Sequence, residues 1–447
     1  LSQVAYDRAD AIFADIDKLE SVKATRNTSQ SQITDAVEAL VKETDTYVEG
    51  TLERNGDAFS WMTTDGIRCA YNPRMREIEK NMTAPEAPLA DGIYNEPLPV
   101  KSGSSGRNQV YLVGPYYGYD SDFTDQYKTE AKRVANAIGD TDGYTLYSGT
   151  ACSVDKVAEA VSKGAIVYFD SHGTTDYESG YDYVTGAEYS YLCLTSTTGL
   201  TTEDYADGAL YYSDGICING DTIANHMTTN SPGGILWMAI CLGMATDTMC
   251  APLRARGVEV VYGYSQSVTF DGDYCFEETF WDNMYAGKNV KDSVAAMKAK
   301  WGNWDGSSQI GNANFWSSSD ICYSINEAQK YYYAFPIVVS DEDAHPGQRD
   351  SGTNYGACSE QTVKSTYTLY NQYSVTAKSN NTAYGTVSAS GSTITAKPAA
   401  GYFAESYTVI SGTATVTQNG NTFSVMAESD CTVQINFAAK TSVTVNF

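Results

Sequence analysis

Two unbroken apolar runs, at 165–169 (Ala-Ile-Val-Tyr-Phe) and 235–240 (Ile-Leu-Trp-Met-Ala-Ile), constrain this chain more than any other feature. A strand that is apolar at every position has both faces covered, which is the condition of a strand inside a helix-flanked, mostly parallel sheet. The surrounding pattern agrees. The run 110–114 ends in Gly114, and Thr124 can cap a helix with Tyr127, Ala131, Val134, Ala135 and Ile138 on one face and Gly139 as its stop. A second strand is expected at 144–147. Ser153 then caps a helix carrying Val154, Val157, Ala158 and Val161, stopped by Gly164. Further on come a helix with Leu253, a strand at 258–263, helices at 276–285 and 290–301, and a last strand at 335–339. This alternation predicts an α/β fold, a mostly parallel sheet sandwiched by helices.

The flanks read differently. Ala11, Ile12, Ile16 and Leu19, and then Ile33, Val37, Leu40 and Val41, recur at helical spacing, while 61–71 alternates weakly. Residues 82–108 are rich in Pro, Gly, Ser and Ala and include Lys101-Ser-Gly-Ser-Ser-Gly-Arg107, a cleavable-looking linker. A polar, Tyr-rich insertion fills 180–220. From 371 to 437 short Thr-, Val-, Tyr- and Ser-rich segments alternate with Gly and Asn turns, as in a small all-β module, with a further strand at 441–447. The expected division is an N-terminal helical segment and linker at 1–106, the α/β domain at 107–345, a linker at 346–370 and the β module at 371–447.

Composition narrows the function. Of 447 residues 55 are acidic and 29 basic, a net charge of -26, and a chain this acidic repels phosphate backbones, so no nucleic-acid partner is expected. No apolar run reaches the roughly 20 residues of a membrane-spanning helix. Leu1 is not Met, so the chain is expected to begin after a trimmed leader. Only 3 His are present, which makes each informative.

In an open parallel sheet, ligands bind beyond the carboxyl ends of strands. The first run delivers Asp170-Ser-His-Gly173 to that edge and the second delivers Cys241-Leu-Gly243. A thiolate is a strong nucleophile. A neighbouring imidazole can take its proton and later protonate a leaving amine. The amides of Gly173 and Cys241 are candidate donors for the oxyanion of acyl transfer. Asp170 is a candidate for orienting His172. If Cys241 is a thiolate, nine of the 10 Cys remain, and at least one more is unpaired.

An apolar strand plus Ser-His-Gly, followed by an apolar strand plus Cys-X-Gly, resembles the caspase-haemoglobinase clan (clan CD) of cysteine peptidases, which includes clostripain, gingipains, legumain, separase and caspases. The segment Leu253-Arg-Ala-Arg-Gly-Val-Glu-Val-Val-Tyr-Gly-Tyr-Ser-Gln-Ser267 is similar to the strand and loop after the nucleophile in the clostripain and gingipain branches, and 276–290 to the helix-turn-helix that follows. The resemblance covers about 107–345. It implies a caspase-like sheet, His172 as general acid/base, Cys241 as nucleophile, Gly173 and Cys241 as oxyanion hole, and no organic cofactor. The caspase Gln-Ala-Cys-Arg-Gly signature is absent, and Ala239 stands where the clostripain branch commonly has an acid, which leaves a preference for basic side chains open. Ala239, Ser265 and Gln266 are candidate substrate-pocket residues.

The β module resembles the internalin-type B repeat of bacterial surface proteins, through Tyr384-Gly-Thr-Val, Ala396-Lys-Pro-Ala-Ala-Gly-Tyr402 and Asp430-Cys-Thr-Val-Gln-Ile-Asn-Phe437. That implies a secreted or cell-surface bacterial location, with surface attachment through the C-terminal region. The expectation is a secreted cysteine endopeptidase acting on protein or peptide substrates, with the N-terminal segment as a pro-segment and with Arg68 and Arg74 flanking a stretch offered to the cleft. The rivals are a catalytically inactive adhesion protein on the same scaffold and a transpeptidase using the same Cys–His pair. No CxxC or HxxxH suggests zinc. Acidic loops at 120–125 and 341–343 are candidate calcium sites, with solvated charge the plainer reading, and His226 and His345 read as solvated.

Overall fold

The computed structural model describes residues 1–24, 28–73, 75, 92–94, 109–123, 125–138, 143–176, 187–213, 215–264, 268, 270–301, 336–339, 367, 369, 374–390, 393–427 and 429–440. Helices α1 (Gln3–Ala24) and α2 (Gln30–Lys42) lead into strands β1 (Glu53–Asn55), β2 (Ala58–Met62), β3 (Arg68–Tyr71) and β4 (Gly92–Tyr94). The α/β stretch follows as β5 (Val110–Gly114), α3 (Gln126–Ile138), β6 (Tyr144–Ser148), α4 (Val154–Lys163), β7 (Ile166–Asp170) and β8 (Gly173–Thr175). Next come β9 (Ser190–Leu194), α5 (Thr202–Ala206), β10 (Leu210–Tyr212), β11 (Gly215–Ile218) and α6 (Gly220–His226). Then follow β12 (Ile235–Ala239), α7 (Cys250–Ala255), β13 (Val260–Tyr264), α8 (Phe270–Tyr285), α9 (Val290–Trp301) and β14 (Pro336–Val339).

The chain is mixed α/β. Its central sheet has the order β14-β13-β12-β7-β5-β6-β4, with the five strands from β13 to β6 parallel and the edge strands β14 and β4 antiparallel. Every residue of β5, β7, β12 and β13 is buried, as their unbroken apolar character requires. Ser153 caps α4 by accepting from the Lys156 amide, as its sequence predicts. The cap expected at Thr124 and the stop at Gly139 lie outside the described residues. Aromatic packing joins sheet to helices. The Trp237 ring stacks on Tyr262 with centroids 3.3 Å apart, Phe280 and Trp281 close around it, and its Nε1 donates to Tyr127 Oη at 2.8 Å.

A second sheet, β1-β2-β3-β10-β11-β9-β8, corrects the expected organisation. The N-terminal segment is not merely helical. Its first three strands join those of the Tyr-rich insertion through the parallel pair β3–β10, with Cys69 opposite Tyr211, while β4 pairs with β6 of the central sheet. Side chains bridge the same seam. Tyr211 Oη donates to Asp10, Tyr6 and Tyr205 share a hydroxyl contact of 3.2 Å, and the Arg68 guanidinium reaches the Tyr205 carbonyl. The stretch from Arg68 is an internal strand of this sheet, and Arg68, Ala70 and Tyr71 line a groove on it; Arg74 lies outside the described residues. One continuous core runs from Ala5 through Met75 to the central sheet.

The C-terminal residues form two small sheets. β15 (Val375–Ser379), β21 (Cys431–Ala439) and β18 (Tyr402–Ser411) make one; β16 (Gly385–Ser390), β17 (Thr393–Pro398), β20 (Thr422–Ala427) and β19 (Ala414–Asn419) make the other. They enclose a core of their own around Ile394, Phe423, Val433 and Ile435. The strand expected at 441–447 lies outside the described residues. Among the described residues no helix is long and apolar enough to cross a membrane.

Separating the N-terminal segment from the rest would unpair β3 and expose Tyr6, Phe13, Tyr205 and Tyr211, at about 1.5–3 kcal/mol for each large apolar side chain. A protease that nicks the chain between 82 and 108 should therefore give two fragments that co-elute on gel filtration in native buffer and separate only in denaturant. Separation in native buffer would mean that the seam is not part of a common core.

Candidate active site

Strands β7 and β12 are parallel neighbours in register, with Asp170 beside Ala239. Their continuations leave the sheet together: the Ser171 amide still reaches the Ala239 carbonyl at 3.5 Å. The next residues are His172 and Gly173 on one chain and Ile240 and Cys241 on the other. The two chains abut so closely that a Cβ on Gly173 would lie 2.1 Å from the Cys241 carbonyl oxygen. No side chain fits there. The structure thus brings His172, Gly173 and Cys241 to one edge of the central sheet.

The backbone after the thiol is unusual. Leu242 has φ +60 and is the one non-glycine residue with positive φ among the described residues. A buried, branched side chain rarely adopts that conformation, and such strain concentrates at functional turns. Cys241 enters this turn rather than a helix, because α7 begins only at Cys250.

Cys241 is a free, partly exposed thiol. Its Sγ accepts from the Val268 amide at 3.4 Å and lies 3.5 Å from the Val268 carbonyl. His172 is held on three sides. Its ring meets Tyr116 and Phe123 edge-on, at centroid distances of 4.6 and 5.0 Å, and its Nε2 lies 3.0 Å from Asp120 Oδ2. Among the described residues the thiol and the imidazole make no hydrogen bond to each other; each is held by a different partner.

The acid that orients His172 is Asp120, not Asp170. Strand alternation and register turn Asp170 inward beside Ala239, where it is buried and bonded to the Tyr117 hydroxyl. Asp120 hangs over the same edge from the loop after β5, the strand next to β7. Although burial works against it, hydrogen bonds from His172 and the Asp122 amide hold the Asp120 carboxyl below its usual range. It is an ionised partner for the imidazole ring. Sequence proximity favoured the wrong acid; the rule that strand ends share an edge would have pointed to the loop after β5.

The ladder between β8 and β9 defines the donor edge. The Cys193 amide donates to the His172 carbonyl at 3.0 Å, so Gly173 and Leu192 form the next, non-hydrogen-bonded pair. The Gly173 N–H therefore points away from β9. Two residues on, the Thr175 carbonyl points the same way and accepts from the Asn72 carboxamide at 3.3 Å, which also reaches Thr174 Oγ1. The N-terminal segment thus touches the strand that follows His172.

Ala239 is buried inside β12, and Ser265 and Gln266 lie outside the described residues. A groove of about 640 Å³ opens on the second sheet from Thr175 and Asp176 to β1, with Glu53, Glu188, Asp207 and Tyr189 among its lining. Asp125 of the acidic loop pairs with Lys128, and no group of three or more His, Cys, Asp or Glu able to hold a metal occurs among the described residues. The 341–343 loop and His345 lie outside them. His226, expected to be solvated, instead bridges Asp155 (2.8 Å) and Asp204 (3.0 Å) and so ties α4 to α5. Comparison with models of known protein families and with curated proteins finds no match for this chain.

Around the site the core is rich in acids. Burial pushes Asp170 up to about 8, and Asp273, bonded to Tyr127 and Tyr264, up to about 7. Both are neutral in the folded chain where the unfolded chain, ionising near ~4, is already charged. Their contribution is complete below that value and is lost as pH rises towards the folded values, by about 1.4 kcal/mol per pH unit for each group. The urea midpoint should therefore fall between pH 5 and 8, and Asp170→Asn, which mimics the neutral acid, should flatten the fall. An equally steep decline in the variant would show that Asp170 is ionised in the fold.

Proposed function

We propose that the chain is a cysteine endopeptidase with a caspase-like arrangement of the central sheet. The observation that carries this reading is the abutment of Gly173 on Cys241, which joins an imidazole, a thiol and an outward-facing backbone N–H at one sheet edge. In the proposed reaction His172 takes the Cys241 proton, and the imidazolium is stabilised by Asp120. The sulfur attacks the scissile carbonyl carbon and a C–S bond forms. The carbonyl oxygen becomes an oxyanion facing the Gly173 and Cys241 amides. The C–N bond breaks as His172 gives its proton to the leaving amine. Water, deprotonated by His172, then cleaves the thioester and restores the thiol.

An extended polypeptide whose scissile carbonyl meets the Gly173 and Cys241 amides would send its flanking residues towards the groove on the second sheet. Asn72 already occupies the edge of β8 at Thr175, which supports a latent state in which the N-terminal segment shields the cleft until the linker is cut. A secreted or cell-surface bacterial location, and attachment through the β module, rest on the resemblance of that module to surface repeats.

Two measurements test the reading. Cys241→Ala should abolish peptide hydrolysis and iodoacetamide labelling at that position with an unchanged unfolding midpoint; hydrolysis by this variant at the wild-type rate would sink the proposal. Asp120→Asn should lower kcat/KM by roughly ten- to a hundred-fold, as expected when an imidazolium loses its partner, whereas Asp170→Asn should leave it near wild type. For latency, wild-type protein held with reductant at neutral pH should be cut within 82–108 while Cys241→Ala stays intact. Equal fragmentation of both would exclude self-processing.

A further inference from the structure

Cys193 and Cys217 stand directly opposite each other on the antiparallel strands β9 and β11. The amide of Cys193 is committed to the other neighbour, donating to His172 of the β8 chain, so Cys193 and Cys217 form a non-hydrogen-bonded pair. In such pairs the α-carbons are about 4.5 Å apart, at the near end of the range that a disulfide spans. Both side chains project from the same face of the sheet, and their sulfurs lie 3.1 Å apart. A closure of about 1 Å brings them to the bonding distance of a disulfide. Both thiols are fully buried, and Met75 packs its sulfur 3.8 Å from that of Cys193.

We propose that Cys193 and Cys217 are a disulfide site, closed as the chain folds in an oxidising compartment and then sealed under Met75. The reaction is thiol–disulfide exchange with a small disulfide such as oxidised glutathione. One cysteine thiolate attacks it and releases a glutathione thiolate; the second attacks the mixed disulfide and releases another. An Sγ–Sγ bond forms in the protein, one breaks in the reagent, and two electrons and two protons pass to two glutathione thiols. Cys241 is outside this exchange, being on the other side of the β8 chain and bonded to Val268.

The bond has a consequence for the site, and this part rests on the peptidase reading. β9 holds the chain of the general base twice, through the Cys193 amide on the His172 carbonyl and through Ser171 Oγ on the Cys193 carbonyl at 2.6 Å. Tying β9 to β11 fixes the strand against which His172 is set. Cys193 is thus a positioning residue.

The test is direct. Full-length protein refolded with a glutathione redox pair is alkylated in denaturant, digested and weighed. The expected result is a Cys193–Cys217 linked peptide two hydrogen masses below the sum of its parts, with Cys241 alkylated. Complete alkylation of both Cys193 and Cys217 would overturn the inference whether or not any hydrolysis is detected. Reduction of the bond, and separately Cys217→Ala, should lower Tm by about 5 °C or more; no shift on reduction would show that the link carries no constraint. For the effect on the base, Cys217→Ala should lower kcat with little change in KM and alter the pH profile of hydrolysis. An unchanged profile would remove the positioning role and leave the disulfide itself standing.

Discussion

Gly173 has no side chain, and the arrangement of the site depends on that. β7 and β12 run parallel and in register, and two parallel strands in contact keep their α-carbons close only while nothing intrudes. Beyond the sheet the ladder ends, but the chains do not splay, because the position that would hold a Cβ faces the Cys241 carbonyl at 2.1 Å. His172 is consequently delivered beside Cys241 by backbone geometry, with no direct bond between the two side chains. The strained Leu242 belongs to the same constraint: with the chain pinned at Cys241, the turn that follows must start at once, and a positive φ is how it does so.

The helices that clamp this edge carry buried carboxyl groups. Asp273 on α8 accepts from Tyr127 and Tyr264, and Glu130 on α3 lies against Tyr285, with Gln126 bonded to Glu277. Burial raises all three acids, Asp273 up to about 7, while Arg133 beside Glu130 works against the rise there. Asp170, deep at the end of β7, belongs with them. Asp120, partly exposed and facing His172, is instead held as an anion. Two classes of carboxyl thus lie within one loop of each other, and their surroundings assign the charge to the one that faces the imidazole.

The parts of this fold that were legible in the sequence are those where one residue pattern permits one environment. The all-apolar β7 and β12, the Ser153 cap and the apolar face of α3 are of that kind. The second sheet was not legible, and its residues show why. β1, β10 and β8 have three residues each, too few for an alternation to stand out, and their Tyr, Thr and Arg are as common in loops. Its decisive contact, Cys69 beside Tyr211, joins residues far apart in the chain. His172 and Cys241 could be read because each sits at the end of a legible strand. Asp120 could not, since it lies in a loop of Tyr, Gly and Asp with no periodicity, and only the neighbourhood of β5 and β7 gives it a role.

The second sheet changes what the N-terminal segment can be. A removable plug would contact the site and little else. Here α1, β2 and β3 contribute Phe13, Trp61 and Tyr71 to the same core that supports β9 and β10, and β9 in turn supports His172 through its carbonyl. The segment is therefore part of the scaffold that sets the imidazole. Beyond Met75, β4 is likewise tied in, paired with β6 of the central sheet. Any latency must then be sought near Asn72, which touches the edge of β8, and not in the presence of the helices and strands before it. The groove between β1 and Asp176 is lined by residues from both sides of the 82–108 linker, so a cut in that linker leaves both of its walls on the scaffold.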